Sequence, residues 1–208
     1  MARPEFERVA ASGQTLPTKW NPSAAVWKTA LPGRGHSSPI VVGQRVLLST
    51  ADERQQVQSV ICYDRKNGKQ LWKTDVNKGG FNPKIHRKNS HASPTVASNG
   101  THVFAVFNNH GNVQVTALTL DGKKVWQEVA GQFMPKQYQF GYAPSPVLYK
   151  STVIVVSDYE SNGYIAALDH LKTQFVNTSS TIMQSGIIKG FAMSCSSPVL
   201  RLAHNSVI

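Results

Sequence analysis

One phrase recurs along this chain at a nearly constant interval: Ser-Pro followed, at once or after a Thr, by an apolar residue. The prolines of the four copies are separated by 55, 52 and 52 residues. Trp72 and Trp126 lie 54 residues apart, and each follows a turn glycine, Gly68 or Gly122, by four residues. Self-similarity at such a period indicates a repeat architecture in which each repeat is one structural unit. The copies begin at Ser38, Ser93, Ser145 and Ser197.

Each period consists of short apolar runs that are separated by turn sequences. Asn-Gly and Asp-Gly stand between β-rich runs of the second period, and both dipeptides favour tight hairpins. The second run of each period is continuously apolar, as in Val-Phe-Ala-Val-Phe at 103–107. In a sheet with one solvent-exposed face, apolar and polar residues alternate along each strand. A continuous apolar run therefore indicates a sheet that is covered on both faces. The pattern predicts an all-β fold: an incomplete β-propeller of about three blades, each of four antiparallel strands.

The repeats also set the predicted domain limits. Residues 1–19 form an N-terminal extension, and residues 20–170 hold the propeller repeats. Val-Trp-Lys-Thr at 26–29 is predicted to be the outermost strand of a blade whose first three strands are absent. Because the turn glycine and the tryptophan are missing after residue 170, we expect 171–208 to be a degraded or frame-shifted tail with the start of a fourth blade. The predicted blades are roughly 35–76, 89–130 and 142–170.

Charge and cysteine content restrict the function classes. Lys and Arg number 22 against 11 Asp and Glu, and the resulting charge of +11 favours anionic partners such as phosphates, acidic polysaccharides or membrane surfaces. Cys62 and Cys195 form no C-x-x-C pair, so we expect two buried free thiols, with a single bridge as the alternative. The first residues contain no apolar signal region, and no apolar run approaches the ~20 residues of a membrane helix, so no membrane span is expected.

The turn and outer strand of the first full period have the sequence Cys-Tyr-Asp-Arg-Lys-Asn-Gly-Lys-Gln-Leu-Trp at 62–72, and a shorter version stands at 117–126. This resembles the PQQ-like β-propeller repeat family, whose signature is Ala-x-Asp-x-x-Thr-Gly-Lys-x-x-Trp. That family includes quinoprotein alcohol dehydrogenases, the propeller lipoprotein of bacterial outer-membrane assembly and sensor domains of receptor kinases. The resemblance implies a periplasmic or extracellular protein. The matching structural repeat residues are Asp64, Gly68, Trp72, Gly122 and Trp126.

The resemblance implies a cofactor only for the enzymes of the family. Those enzymes hold PQQ with a vicinal disulfide and with a calcium site of Glu, Asn and Asp, and an Asp acts as base. This chain has no adjacent cysteine pair, and its carboxylates do not match that set residue by residue. We therefore predict that the chain binds no cofactor and is not an enzyme. The alternatives are a fragment of a PQQ-dependent dehydrogenase, with PQQ and calcium, or a truncated gene product without independent function.

Two long connectors between predicted blades, at 77–91 and 131–143, lie on the same face as the loops between second and third strands. Long loops on a rigid scaffold are where binding residues concentrate. We predict that this face binds a protein or an acidic glycan, with no nucleic acid partner, and that uncovered blade edges permit self-association. The candidate partner-binding residues are Lys84, His86, Arg87, His91, Tyr138 and Tyr142.

Two histidines occupy equivalent positions in the repeat. His36 and His91 each precede a Ser-Pro proline by three residues, and two stacked imidazoles would suit a metal ion or a polarised ligand. The competing interpretation is that each imidazole bonds to nearby backbone. We favour the second interpretation, because the third blade has Ala143 at this position and metal sites need three or four ligands.

Overall fold

The computed structural model describes Lys19 and residues 21–137, 139–160, 163–170 and 175–180. Within those residues a short 3-10 turn at Pro22–Ala24 is followed by strands that form three four-stranded sheets. Every neighbouring pair of strands is antiparallel and consecutive in the chain. The predicted all-β fold, an incomplete propeller of four-stranded blades, is confirmed. No helix in this part of the chain has the length and apolar character needed to cross a bilayer.

The three sheets follow one another along the chain, and we call them blades one, two and three. Blade one contains β1 (Ile40–Val42), β2 (Arg45–Asp52), β3 (Val57–Asp64) and β4 (Gln70–Lys78). Blade two contains β5 (Ala97–Ser98), β6 (His102–Asn109), β7 (Asn112–Thr119) and β8 (Lys124–Gln132). Blade three contains β9 (Val147–Tyr149), β10 (Thr152–Ser157), β11 (Tyr164–Asp169) and β12 (Phe175–Ser180).

The hydrophobic core is divided into layers between neighbouring blades. Leu47 and Val60 of blade one pack with Val103 and Phe107 of blade two, and all four side chains are fully buried. On the other face of blade two, Phe104 belongs to a second layer, which also contains side chains from β10 and β11 of blade three. Adjacent residues of β6 therefore point into different layers, which explains why its sequence is continuously apolar.

Trp27 and Trp72 each pack against the turn glycine of the blade that follows them in the chain. A Cβ atom on Gly122 would lie 2.6 Å from Cδ2 of Trp72, and a Cβ atom on Gly68 would lie 2.4 Å from Cε3 of Trp27. The Trp72 indole N–H also donates a hydrogen bond to the Leu120 carbonyl at 2.9 Å. Only a residue without a side chain permits this approach. The glycine and the tryptophan of the signature are thus two halves of one contact between blades.

The segment at 26–29 differs from its prediction as an outermost strand. It belongs to no strand, and Val26 is 87% exposed. Trp27 nevertheless docks on blade one, where its indole N–H donates to the Arg65 carbonyl at 2.8 Å. The indole contact forms without a ladder because no described strand lies beside this segment to pair its backbone. The sequence phrase predicted the tryptophan contact and not the secondary structure.

Blade three extends beyond residue 170, where the sequence analysis ended it. The backbone of β12 pairs with β11, and the register shifts between Ala167 and Leu168. The fourth strand forms although its sequence has neither the turn glycine nor the tryptophan of the repeat, since backbone pairing needs neither side chain. The rest of the predicted tail, with Cys195 and the start of a fourth blade, lies outside the described residues, as do residues 1–18 of the predicted extension.

Candidate binding face

The connectors between blades and the loops between second and third strands meet on one side of the molecule. The Gly79 amide donates to the Gln56 carbonyl at 2.7 Å, and the His110 amide donates to the Gly80 carbonyl at 2.8 Å. At the next blade, the Phe133 amide donates to the carbonyl of Gly111, which neighbours His110, at 2.9 Å. We call this surface the long-loop face. It comprises residues 53–56, 79–96, 110–111, 133–137, 139–146 and 158–160.

The first connector, 79–96, contains a turn that is held by its own polar groups. The Asn82 side-chain oxygen accepts a hydrogen bond from the Lys84 amide at 2.9 Å. The His86 carbonyl accepts from the Asn89 amide at 2.8 Å, and Nδ1 of His86 accepts from the Lys88 amide at 3.2 Å. This turn presents the cationic side chains of the connector from a fixed backbone.

Long-range contacts attach this turn to its surroundings. One Arg34 guanidinium nitrogen donates to the Arg87 carbonyl at 2.7 Å, and the other lies 3.4 Å from the Glu53 carboxylate. The Asn89 amide side chain donates to the Phe140 carbonyl of the second connector. The ring centroids of His86 and Phe140 are 5.5 Å apart. The two connectors and the segment before blade one therefore form one continuous surface.

The base of the first connector is fixed by a buried amide. Gln58 is fully buried in β3, and its Nε2 donates to the carbonyls of His91 at 2.8 Å and Asn108 at 3.0 Å. Its Oε1 accepts from the side chains of Asn77 at 2.9 Å and Asn109 at 3.4 Å. All hydrogen-bonding groups of this side chain are used between blades one and two. Gln58 was not among the predicted site residues; its place beside Val57 and close to the apolar run Val60–Cys62 was the available signal.

Four of the predicted partner-binding residues lie in the first connector. The side chains of Lys84, His86 and Arg87 are exposed. His91 is only partly exposed, and its ring stacks on Phe81 with a centroid distance of 4.2 Å. Burial lowers the pKa of His91 below its ordinary value, so the imidazole is neutral at pH 7. The fifth predicted residue, Tyr138, lies outside the described residues.

Tyr142 is a core residue, which corrects its prediction as a surface contact. Only 5% of the residue is exposed, and its hydroxyl donates to the Val156 carbonyl at 2.8 Å. Its ring meets Phe133 edge-on with a centroid distance of 5.2 Å. Burial raises the pKa of the phenol, so this side chain is a neutral hydrogen-bond donor. The second connector therefore places Tyr142 in the apolar layer between blades two and three.

Two exposed apolar side chains of the second connector were not among the predicted site residues. Met134 is 56% exposed and lies against Gly111, and Phe140 is 57% exposed beside His86. Both side chains add apolar area to the long-loop face. The sequence signal was an aromatic residue directly before a glycine in a loop without carboxylates.

The long-loop face offers a surface and not a deep pocket. A cavity of about 20 Å³ lies between the two connectors, which is room for about one water molecule. Its lining includes the polar side chains of Asn82, Ser90, His91 and Asn108. A cavity of this size does not admit a small-molecule cofactor.

The His, Cys, Asp and Glu side chains of the described residues are dispersed. No group of three or more His, Cys, Asp or Glu among them is arranged to hold a metal ion. His36 is exposed, whereas His91 is stacked on Phe81. Cys62 is a buried free thiol, as predicted, and burial raises its pKa to about 11. Absence of a cofactor from the whole protein stays a prediction.

Comparison with known proteins gives a family match. A family model described as "Outer membrane protein assembly factor BamB" matches residues 26–186. No curated protein matches the sequence. The matched range includes all the strands described above and contains both copies of the turn–tryptophan signature.

Solved structures with a similar fold include three enzymes. Quinohemoprotein alcohol dehydrogenase ADHIIG from Pseudomonas putida HK5 is 19% identical, with a TM-score of 0.50 over 74% of this chain and 22% of that chain. The quinohemoprotein alcohol dehydrogenase from Comamonas testosteroni is 20% identical, with a TM-score of 0.49 over 71% and 21% of the two chains. A europium-containing methanol dehydrogenase is 17% identical, with a TM-score of 0.47 over 71% and 25%. This chain spans about a quarter or less of their lengths.

These matches correct one prediction. The prediction that the chain is not an enzyme is contradicted, because a solved structure that shares its fold at a TM-score of 0.50 is an alcohol dehydrogenase. At 19% identity the likeness is one of fold. The absence of a matching carboxylate set was therefore an insufficient reason to exclude the enzyme class.

Proposed function

The chain belongs to the PQQ-like β-propeller family whose model is described as "Outer membrane protein assembly factor BamB", and from this membership we propose that it binds a macromolecular partner through its long-loop face. The description of the family concerns assembly at the outer membrane, which supports a site of action outside the cytoplasm. The partner class expected from the sequence is a protein or an acidic glycan.

The observation that carries the proposal is the joined and fixed surface of the two connectors. Contacts such as Arg34 to Arg87 and Asn89 to Phe140 link residues 53 and 51 positions apart. A loop surface that is ordered before binding loses less entropy when a partner docks. On the opposite side, the described turns between β1 and β2, β3 and β4, β5 and β6, β7 and β8, and β9 and β10 are short hairpin turns, which offer less area than the connectors.

Photo-crosslinking from single positions tests this proposal. A photoreactive phenylalanine analogue at Arg87 samples the long-loop face, and the same analogue at Lys66 samples the opposite side, where the residue lies exposed in the β3–β4 turn. We expect a discrete crosslinked product from position 87 in extracts of cells that express the full chain, and none from position 66. Equal products from both positions, or a product from position 66 alone, would contradict the proposal.

A redox role with PQQ is the second candidate, and the likeness of fold to an alcohol dehydrogenase motivates its test. Addition of PQQ and Ca²⁺ to the full chain, followed by equilibrium dialysis and absorbance, measures cofactor binding directly. Binding at micromolar concentration that is lost with EDTA would favour the redox role over the long-loop proposal.

A further inference from the structure

The two connectors of the long-loop face carry charges of one sign only. The connectors 79–96 and 133–146 together contain four Lys or Arg residues and no Asp or Glu. Three of those cations, Lys84, Arg87 and Lys88, lie within five consecutive residues and are exposed. Within the described residues none of the three forms an ion pair. The turn at 84–88 therefore presents three cationic side chains that are available to an anion.

The nearest carboxylates on the long-loop face are engaged with the protein itself. Glu53 lies 3.4 Å from the Arg34 guanidinium. Glu160 accepts hydrogen bonds from the Lys136 and Gln137 amides. Asp158 is a further exposed carboxylate of this face, and among the described residues none of the three carboxylates forms an ion pair with Lys84, Arg87 or Lys88.

An apolar contact lies directly beside these cations. The exposed Phe140 ring is 5.5 Å from the His86 ring, and His86 stands between Lys84 and Arg87 in the chain. An acidic polysaccharide would satisfy the cations but would leave this apolar surface without a matching group. A peptide that alternates carboxylate and apolar side chains satisfies both features at once.

From this juxtaposition we infer that the partner of the long-loop face is a protein that presents an acidic peptide segment, whose carboxylates meet Lys84, Arg87 and Lys88 and whose apolar side chain packs on Phe140. The inference rests on the proposed function and names the chemistry of its partner. The hydrogen-bonded turn at 82–89 holds these groups in place before the peptide arrives.

Fluorescence anisotropy with the full chain measures the binding. The probe is a short labelled peptide in which Asp and Glu surround a pair of Leu residues. One control peptide replaces the acids by Asn and Gln, a second replaces Leu by Ser, and a heparin oligosaccharide competes for the same face. We expect the acidic Leu peptide to bind best and to weaken as NaCl rises from about 50 to about 300 mM, because salt screens exposed charges.

Matched variants locate the site. The triple variant Lys84→Gln/Arg87→Gln/Lys88→Gln should raise Kd about tenfold, as three exposed ionic contacts would. Phe140→Ala should raise it about threefold to tenfold. The control variant Lys66→Gln/Lys69→Gln/Lys123→Gln removes the same charge from the hairpin turns and should leave Kd unchanged. Circular dichroism and urea midpoints confirm that each variant is folded.

The outcomes separate this inference from the proposed function. Equal binding of the acidic and neutral peptides, equal loss in both triple variants, or binding of the heparin oligosaccharide without the peptide would overturn the acidic-peptide partner. If position 87 gives a crosslinked product while the acidic peptide does not bind, the long-loop face remains the binding surface and only the partner chemistry is wrong. If position 87 gives no product and the peptide does not bind, both proposals fail.

Discussion

The indole–glycine contact between blades makes a quantitative prediction for Gly122→Ala. Gly122 has φ +82°, and a Cβ atom there would lie 2.6 Å from Trp72 and 2.9 Å from Oγ1 of Thr74. The left-handed backbone costs an alanine about 1 kcal/mol. The steric overlap adds about 1–3 kcal/mol, since the ring is held by its hydrogen bond to Leu120 and cannot retreat freely. The expected loss of unfolding free energy is therefore about 2–4 kcal/mol.

Gly43→Ala is the matched control for this prediction. Gly43 has φ +57°, but nothing lies within 4 Å of a Cβ atom built on it. This variant carries the backbone cost without the overlap, so it should lose only about 1 kcal/mol. The difference between the two variants isolates the contact with the indole.

Urea unfolding of the full chain, followed by far-ultraviolet circular dichroism, measures both variants. We expect Gly122→Ala to unfold at a clearly lower urea concentration than Gly43→Ala, with similar slopes. Stabilities that agree within about 0.5 kcal/mol would refute the reasoning, because the indole would then be free to move away and would not act as a fixed wedge.

Three further predictions concern polar groups that are buried or partly buried. Tyr142→Phe removes the hydrogen bond to Val156 and should cost about 0.5–1.5 kcal/mol in urea unfolding without a change in peptide affinity; an affinity change would return Tyr142 to the binding surface. Gln58→Leu leaves buried partners unsatisfied and should cost about 2–5 kcal/mol, and a neutral result would show that water replaces the amide. The unfolded chain takes up a proton at His91 near its ordinary pKa of 6.5, whereas the folded chain resists it, so stability should fall as pH drops through 6.5. Urea midpoints at about pH 7.5 and about pH 5.5 should therefore differ less in His91→Asn than in the parent, and an equal difference would contradict a partly buried imidazole that stays neutral in the folded chain.

The strands were predictable because their signals are local and repeated. The continuous apolar run at 103–107 and the Asn-Gly and Asp-Gly turns depend on neighbours in sequence, and the period confirms each by comparison with the others. The segment at 26–29 shows the limit of this reasoning. Its sequence resembles that of the outer strands. A strand, however, needs a neighbouring strand to pair with its backbone, and sequence similarity alone does not provide that neighbour.

The conformation of the connectors was not predictable in the same way. The turn that presents Arg87 is held by Arg34, and the second connector is held by Asn89. Such contacts join distant residues and have no period that a sequence pattern would reveal. The burial of Tyr142 has the same origin, because a tyrosine in a loop has the same local sequence whether the loop extends into solvent or folds back over the core.

The pairing of indole and glycine has a consequence for how such chains change in length. Blade one receives Trp27 at Gly68 and offers Trp72 to Gly122 of blade two, so these two joins are head-to-tail and identical in kind. Insertion or deletion of a period that carries both the glycine and the tryptophan leaves joins of this kind intact. The number of blades in a closed propeller then depends on the angle between successive blades. Gene duplication can change that number without the need for a new kind of interface.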